Sequence, residues 1–438
     1  MTRICAILMA LTMAAGQLGA IGIDAEKVVE MALATNEEVR IADNSTRQAD
    51  LRKGVALTAY LPRLSGSATV GWMLPDTKYD EMALTMRMRG MYMAGISITQ
   101  PIFAGGKIVA ANKMAAIGKD AAAEQRRMTR EHVAADAEIS YWSYVAVCAK
   151  VDMMKSYVAL LDTALLQTKT AVDAGMATEN DLLRIEARQS QAVYQLESVM
   201  AGADLCRMAL CNTIGIDTAT ELTPADGEIA LDIPSDLYSY SIDNRAEMKL
   251  IDADIKIKEQ QVVATRGDYL PTLGFQAGWS AYGNINIKSM AAAPDGSYVP
   301  VSQNIANNGF NFLFSLQVPL FHWGEGIKKV KEKRIDVENA RLDRQNTAKK
   351  LDLQVKNAIA EITTGRQLLN SAEHAMAQAE ASLQSETNRY DIGLSTLTDL
   401  LDAQSQWQNA RASLIEARTQ LRIHAIEYRL ATATLGVN

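Results

Sequence analysis

The chain has 438 residues, of which 48% are hydrophobic and 22% are charged, and its formal net charge is −7 at pH 7. This composition excludes an intrinsically disordered chain, because it has enough apolar side chains to form a core. The negative charge also excludes a nucleic-acid-binding protein that relies on a basic surface.

Residues 1–20 have the pattern of a secretory signal peptide. Arg3 precedes an apolar run, and small residues follow the run as a cleavage zone. We therefore expect the mature protein to leave the cytoplasm. Cys5 precedes the apolar run, whereas a lipoprotein cysteine follows it, so we expect no lipid anchor. No later segment has the ~18–20 consecutive apolar residues of a membrane-spanning helix.

The mature chain contains an internal repeat. The nine residues from Gly175 (GMATENDLL) return 218 positions later, from Gly393 (GLSTLTDLL), with five of the nine identical. The motif LPRL at 61–64 likewise returns as LPTL at 270–273. We predict a first structural repeat at 21–220 and a second at 240–438. The linker at 221–239 is identified by its composition, with Pro224, Gly227 and Pro234.

Each repeat is predicted to contain a helix, two strands separated by a polar loop, and two long helices joined by a turn. In the first repeat the strands are expected at about 64–72 and 92–100, and the long helices at about 105–174 and 177–214. In the second repeat the strands are expected at about 272–281 and 310–318, and the long helices at about 325–391 and 395–435. The loops between the strands, 75–90 and 282–309, are polar.

Both strand pairs alternate between an apolar face and a small, polar face. The apolar residues include Leu64, Val70, Trp72, Ile96, Ile98, Phe275, Trp279, Phe310, Phe312 and Phe314. Strands of ~9–11 residues with this alternation are typical of transmembrane β-barrels, although a soluble sheet with one buried face has the same pattern. Four strands cannot close a barrel in lipid, so the membrane interpretation requires oligomers: dimers with eight strands or trimers with twelve.

The long helices carry stripes of small and apolar residues with alternating spacings of four and three. In the second repeat the stripe comprises Leu351, Val355, Ala358, Ile362, Gly365, Leu369, Ala372, Met376, Ala379, Leu383 and Tyr390, with one gap at Glu386. Such heptads predict coiled-coil packing against neighbouring helices. At ~1.5 Å per residue, the longer helices reach roughly 95–100 Å, which exceeds the needs of an ordinary globular core.

These motifs, in this order, resemble the TolC-like outer-membrane efflux proteins over essentially the whole mature chain. The resemblance is carried by the duplication, the Leu-Pro-x-Leu motifs, QPIFAGG at 100–106, the stretch 389–404 and ATLG at 433–436. It implies a mainly α fold with a small transmembrane β part, in which a homotrimer shares a twelve-stranded β-barrel that continues into an α-helical barrel.

The resemblance also implies a function: the outer-membrane channel of a tripartite efflux system, with its helical part in the periplasm. Such a channel passively conducts substrates that an inner-membrane transporter and a periplasmic adaptor (membrane fusion) protein deliver. It contacts outer-membrane lipid, binds no nucleic acid, is not an enzyme and uses no cofactor. The same architecture serves as the duct of type I protein secretion. An alternative of another class is a soluble periplasmic coiled-coil scaffold or adaptor.

Matching to the family's motifs assigns roles to residues near the two helix turns. Asp399 and Asp402 match the carboxylates of the periplasmic gate, and their spacing of three places both on one helix face. Asp399 is alternatively a helix-capping acid. Tyr390 and Asp181 match the ties between helices that keep the gate shut.

Two further groups are implied by the same matching. Ser395 occupies the position of a family arginine, so this part of the lock is weaker, or moves to Arg389 or Arg184. The turns that would dock the adaptor comprise Gly175, Met176, Thr178, Gly393, Leu394 and Thr396.

The remaining cysteines and histidines suggest no catalytic or metal site. Cys148, Cys206 and Cys211 are too few and too irregularly spaced for a disulfide scaffold, although a bridge between the first two remains open. The four histidines are scattered. We expect His424 to pack in a helix interface, because its counterpart in the first repeat is Cys206.

Overall fold

The computed structural model describes residues 21–79, 84–226, 229–294 and 296–436. The predicted signal peptide and Cys5 lie outside the described residues. The elements in chain order are β1 (Ile21–Ile23), α1 (Ala25–Thr35), α2 (Glu37–Thr58), β2 (Arg63–Trp72), β3 (Thr77–Tyr79), β4 (Leu84–Arg87), β5 (Arg89–Ala104), α3 (Lys107–Asp173), α4 (Glu179–Thr213), β6 (Leu222–Pro224), α5 (Ala246–Gly267), β7 (Thr272–Ala292), β8 (Tyr298–Gln317), α6 (Glu325–Asp391) and α7 (Leu397–Ala431).

The two repeats contain the same pair of long helices. Helices α3 and α6 each have 67 residues, and α4 and α7 each have 35. The mainly α fold with a small β part is therefore confirmed. Within the described residues, no helix combines the length and the apolar character that crossing a bilayer requires.

The chain forms two compact units. We call Met1–Thr46, Ala122–Leu250 and Arg344–Asn438 the helical unit, and Arg47–Ala121 with Ile251–Asp343 the strand unit. Each unit therefore combines segments from both repeats.

The strand unit contains one antiparallel sheet whose central order is β2–β5–β7–β8. Leu64, Ile98, Ala277 and Phe312 are register partners and form one row across these four strands. Ser65, Ser97, Gly278 and Asn311 form a neighbouring row on the opposite face. The alternation seen in the sequence thus gives the whole sheet one apolar and one polar face.

The predicted loops between the strands are wrong in extent. Strand β7 continues to Ala292 and β8 begins at Tyr298, so most of 282–309 is a long hairpin. In the other loop, β4 pairs with the extension of β7, and β3 pairs with β4. Strand β4 was missed because it has only four residues, and its position is set by backbone pairing to the extension of β7.

The predicted linker is also more ordered than its composition indicates. Residues Leu222–Pro224 form β6, which pairs in parallel with β1, as in the register Ile21↔Leu222. The hydroxyl of Tyr144 donates a 2.7 Å hydrogen bond to the Leu222 carbonyl. The same segment buries Leu237, whose carbonyl accepts from the Tyr428 hydroxyl. The segment is therefore packed against the long helices, except for Gly227 and its neighbour 228, which lie outside the described residues.

The predicted stripe of α6 lies in the core of the helical unit, where Val355 and Ile362 are fully buried. On α3, Leu161 lies 218 residues before Ala379 of that stripe and is also fully buried. Tyr141 and Tyr157 of α3 are fully buried as well, but the sequence did not single them out. Cys148, Cys206 and Cys211 are free thiols, so the bridge that remained open in the sequence is not formed.

Candidate functional site at the two helix turns

Both helix turns have the same backbone geometry. In the first, the Met176 N–H bonds the Ala171 carbonyl at 2.7 Å and the Gly175 N–H bonds the Val172 carbonyl at 2.9 Å. In the second turn, Leu394 bonds Arg389 and Gly393 bonds Tyr390 in the same pattern. This is the Schellman arrangement, and it requires the left-handed conformation that Gly175 and Gly393 adopt, with φ of +74° and +75°.

Each turn leads directly into a helix that begins with a capping box. The Thr178 hydroxyl donates to the Asp181 carboxylate at 2.6 Å, and the Asp181 N–H donates to the Thr178 hydroxyl. Thr396 and Asp399 form the same pair at 2.7 Å. The hydrogen bonds from Thr178 and Thr396 lower the pKa of the Asp181 and Asp399 carboxyls, respectively.

The two caps contain Asp181 and Asp399, for which the sequence analysis predicted roles in a gate. The Asp181 carboxylate is engaged in the cap of its own helix, where a tie between helices was expected. Asp399 has the capping role that was the alternative to a gate. Its side chain remains exposed, so capping and a place in a gate are compatible.

The side chains at the apex of each turn point into open space. Met176 is 80% exposed and Leu394 is 67% exposed, and a Cβ added at Gly175 or Gly393 would meet nothing within 4 Å. Ile392, at 69%, belongs to the same exposed apolar group and was missed in the sequence. Each apex therefore presents a small apolar surface that nothing in the described chain covers.

An open acidic groove of about 360 Å³ lies between α6 and α7, next to the second turn. Its lining residues are Ser382, Glu386, Arg389, Asp399, Asp402, Ala403 and Gln406. The structure thus brings Asp399 and Asp402 to one surface and adds a third carboxylate, Glu386. The signal for Glu386 was present in the sequence, because this residue is the single gap in the apolar stripe of α6.

Glu386 accepts hydrogen bonds from two other residues at the groove, Ser395 and Arg389. Ser395 Oγ donates to one carboxylate oxygen of Glu386 at 2.6 Å, and Arg389 Nη1 donates to the other at 3.0 Å. Arg389 also reaches the carbonyl of Leu394, within its own turn. Asp402 accepts a 2.7 Å hydrogen bond from Gln406. Three carboxylates and one guanidinium leave the groove with a negative balance.

Several hydrogen bonds connect the first repeat to the second near the turns. Tyr390 on α6 bonds the buried hydroxyl of Thr168 on α3 at 3.0 Å. Arg184 on α4 donates to Thr398 at 3.3 Å, and Arg188 donates to Ser405 at 2.8 Å. Tyr390 therefore joins α6 to α3, and Arg184 and Arg188 join α4 to α7. The role of Tyr390 as a tie that keeps a gate shut stays a prediction. Arg188 was not identified from the sequence.

The repeats differ in charge at equivalent positions. At the offset of 218, Asp399 corresponds to Asp181, but Asp402 corresponds to Arg184 and Glu386 to Thr168. The acidic groove therefore belongs to the second repeat alone.

Comparisons with known proteins agree with this architecture. The family model described as outer membrane efflux protein matches residues 28–205 and 237–434. The outer membrane efflux protein BepC of Brucella suis is 22% identical, over 90% of this chain and 80% of that protein. The protein CyaE of Bordetella pertussis is 24% identical, over 94% and 84%.

Solved structures have the same fold at low identity. The outer membrane protein VceC of Vibrio cholerae has a TM-score of 0.75 at 16% identity, covering 93% of this chain and 95% of that one. The outer membrane channel CmeC of Campylobacter jejuni has a TM-score of 0.73 at 19% identity, covering 94% and 85%.

Proposed function

Because the chain belongs to the outer membrane efflux protein family, we propose that it is the outer-membrane channel through which a tripartite efflux system releases its substrates. The family consists of channels rather than enzymes, and it places this chain in the outer membrane with its helices in the periplasm. The soluble scaffold is thereby excluded. The observation that carries the proposal is the four-strand sheet with one apolar and one polar face, in a chain that also has two helices of 67 residues.

The sheet supports insertion into lipid. Its exposed apolar side chains include Leu64, Val70, Trp72, Ile96, Ile98, Trp279, Phe310, Phe312, Phe314 and Leu316. A surface of this kind is unfavourable in water and is stabilised by contact with lipid chains. The polar row with Ser97 and Asn311 then faces the lumen.

The two edges of this sheet support a closed oligomer. Among the residues that the structure describes, the order β2–β5–β7–β8 leaves β2 and β8 each paired on one side only. Unpaired backbone groups are not tolerated in lipid, so each edge requires a partner. Pairing of β8 with β2 of the next copy is a head-to-tail contact, which closes into a ring. Three copies give the twelve-stranded barrel of a homotrimer.

The acidic groove serves as the gate in this proposal. In a threefold assembly, Glu386, Asp399 and Asp402 of each chain contribute nine carboxylates near one end of the helical barrel. Such a ring attracts cations, repels anions and offers oxygen ligands to divalent cations. Tyr390 holds α6 to α3 and limits the opening. The exposed apices at Met176 and Leu394 offer docking surfaces for a periplasmic adaptor, which works with an inner-membrane transporter.

Planar-bilayer recordings test the channel and its gate together. The wild-type protein should form cation-selective channels that divalent cations block. Asp399→Ala with Asp402→Ala should raise the single-channel conductance and abolish the block, because the constriction loses bulk and six of its nine carboxylates, and the remaining Glu386 is already bonded to Ser395 and Arg389.

The matched control removes two acids outside the groove, Asp173→Ala with Glu179→Ala, and should retain the divalent block. If the groove and control variants conduct alike, the gate assignment is wrong. If the wild-type protein forms no channels and fractionates as a water-soluble monomer, the channel itself is wrong.

A further inference from the structure

Three potential metal ligands meet between α6 and α7 of the second repeat. His424 Nδ1 lies 3.2 Å from a carboxylate oxygen of Glu427 and 3.5 Å from one of Glu361. All three ligand atoms lie within 4.8 Å of one another. Glu361 precedes Glu386 by 25 residues on α6, which is about 37 Å along the helix, so this cluster is separate from the acidic groove.

The spacing of the donors suits a tetrahedral cation. With Zn–N and Zn–O bonds of about 2.0–2.2 Å, two donors of a tetrahedral zinc centre are about 3.3–3.5 Å apart. The nitrogen-to-oxygen distances of 3.2 and 3.5 Å are close to this value before any adjustment. Three protein donors leave the fourth position for water.

The surroundings hold the ligands in place. Asn357 Nδ2 donates a 2.7 Å hydrogen bond to the second carboxylate oxygen of Glu361, which orients the first oxygen towards His424. One helical turn further, Gly365 packs against α7. A Cβ there would lie 3.1 Å from Leu421, a tight contact, and 3.8 Å from the His424 ring, so glycine lets α6 approach α7 closely beside the cluster.

Charge and access also favour a cation. An imidazole binds a metal in its neutral form, and the two carboxylates then supply two negative charges for a divalent ion. The side chains of His424, Glu361 and Glu427 are 23, 39 and 46% exposed, so an ion can reach them and still be partly enclosed.

The cluster exists only in the second repeat. At the offset of 218, its three positions correspond to Cys206, Ser143 and Ala209. The sequence led us to expect His424 to pack as Cys206 does, and no metal site was expected. The cluster is not visible in the sequence, because Glu361 is 63 residues from His424 and joins the other two residues only when α6 and α7 pack together.

We propose that His424, Glu361 and Glu427 form a binding site for a divalent transition-metal cation of the Zn²⁺ class. The ion is held by His424 Nδ1 and one oxygen from each carboxylate. Nitrogen with carboxylate oxygen is a donor set that suits Zn²⁺ and Co²⁺ better than Mg²⁺ or Ca²⁺. Because the ligands come from two helices, the bound ion joins α6 to α7.

Titration of the full mature protein with Co²⁺ tests the site directly. The protein is purified in detergent through a histidine-free tag, and tetrahedral Co²⁺ is detected by its visible absorption. We expect saturation at one ion per chain and displacement by Zn²⁺. His424→Gln and Glu427→Gln should each weaken binding more than about 100-fold, and Asn357→Ala about tenfold, as for an outer-shell partner.

Two control variants separate this site from others. His374→Gln removes an exposed histidine of α6 outside the cluster and should leave the titration unchanged. Asp399→Asn with Asp402→Asn should also leave it unchanged, because those acids belong to the groove. The proposal is overturned if the wild type shows no saturable tetrahedral band, if the band survives His424→Gln, or if either control abolishes it.

Discussion

Substitution of Glu138 should destabilise the helical unit more than any surface change nearby. This carboxylate of α3 is almost fully buried and accepts hydrogen bonds from two residues of α7, Arg422 at 2.7 Å and Arg429 at 3.1 Å. The Arg422 guanidinium also stacks 5.0 Å from the ring centroid of Trp142. Glu138 of the first repeat is therefore the buried carboxylate that pairs with both cations, and the exposed Asp232 lies 3.2 Å from Arg429 and 3.9 Å from Arg422.

The magnitude follows from what Glu138→Gln would leave behind. Removing one partner of a buried ion pair costs about 3–5 kcal/mol, because the other charge stays buried without compensation. The lower end applies here, since the glutamine oxygen can still accept one hydrogen bond and Arg429 keeps its contact with Asp232 at 3.2 Å. We expect a loss of about 3 kcal/mol, which at ~2 °C per kcal/mol lowers the thermal midpoint by about 6 °C.

The assay is helix melting followed by circular dichroism at fixed protein and detergent concentration. Glu373→Gln is the matched control, because Glu373 pairs with Arg418 at 3.4 Å on the surface and such pairs contribute less than about 1 kcal/mol. Equal midpoints for the two variants would refute the reasoning. They would mean that the buried arginines find water or other partners at no cost.

Three further predictions concern the turns. Tyr390→Phe should cost about 1 kcal/mol by removing the hydrogen bond to buried Thr168, and should raise the resting conductance in bilayers. Gly393→Ala should lower the free energy of unfolding by about 1–2 kcal/mol in melting experiments, because alanine is strained at a φ of +75°. Gly202→Ala is the control and should not destabilise the protein, because Gly202 is helical and has open space around it. Hydrogen bonds from Thr396 lower the pKa of Asp399, so its contribution to the cap is present above the unfolded value of ~3.9 and is lost as pH falls through the folded pKa. The part of the cation selectivity that Asp399 supplies should therefore persist at pH 5 and disappear only in stronger acid.

The helices could be predicted from the sequence because their signals are local. Heptad spacing and the absence of proline define α6, and Gly393 followed by Thr396 marks the point where one helix ends and the next begins. The strand extensions could not be predicted in the same way. Strand β4 has only four residues, so its alternation is too short to predict a strand. Its pairing of Met86 with Ile287 depends on where β7 lies. The pairing of β1 with β6 is likewise a contact between distant segments.

The candidate site likewise has a part that local sequence predicts and a part that depends on contacts between distant segments. Asp399 and Asp402 share a face by helical spacing alone, so their proximity was predictable. The contribution of Glu386 depends on the packing of α6 against α7, although the gap in its stripe is visible in the sequence. The contact between Arg184 and Thr398 joins residues 214 positions apart, and only the folded chain brings them together.

The two repeats share the backbone hydrogen bonds of their turns but differ in the charge of the side chains nearby. Both turns have the same Schellman bonds and the same capping box, so the backbone geometry is retained wherever the hairpin occurs. One turn beyond the cap, Arg184 stands in one repeat and Asp402 in the other. In the proposed trimer, six similar hairpins would therefore alternate between basic and acidic positions. The acidic ring is then threefold rather than sixfold, and an arginine of each first repeat lies close to the helix that carries the acids, where it can limit their mutual repulsion.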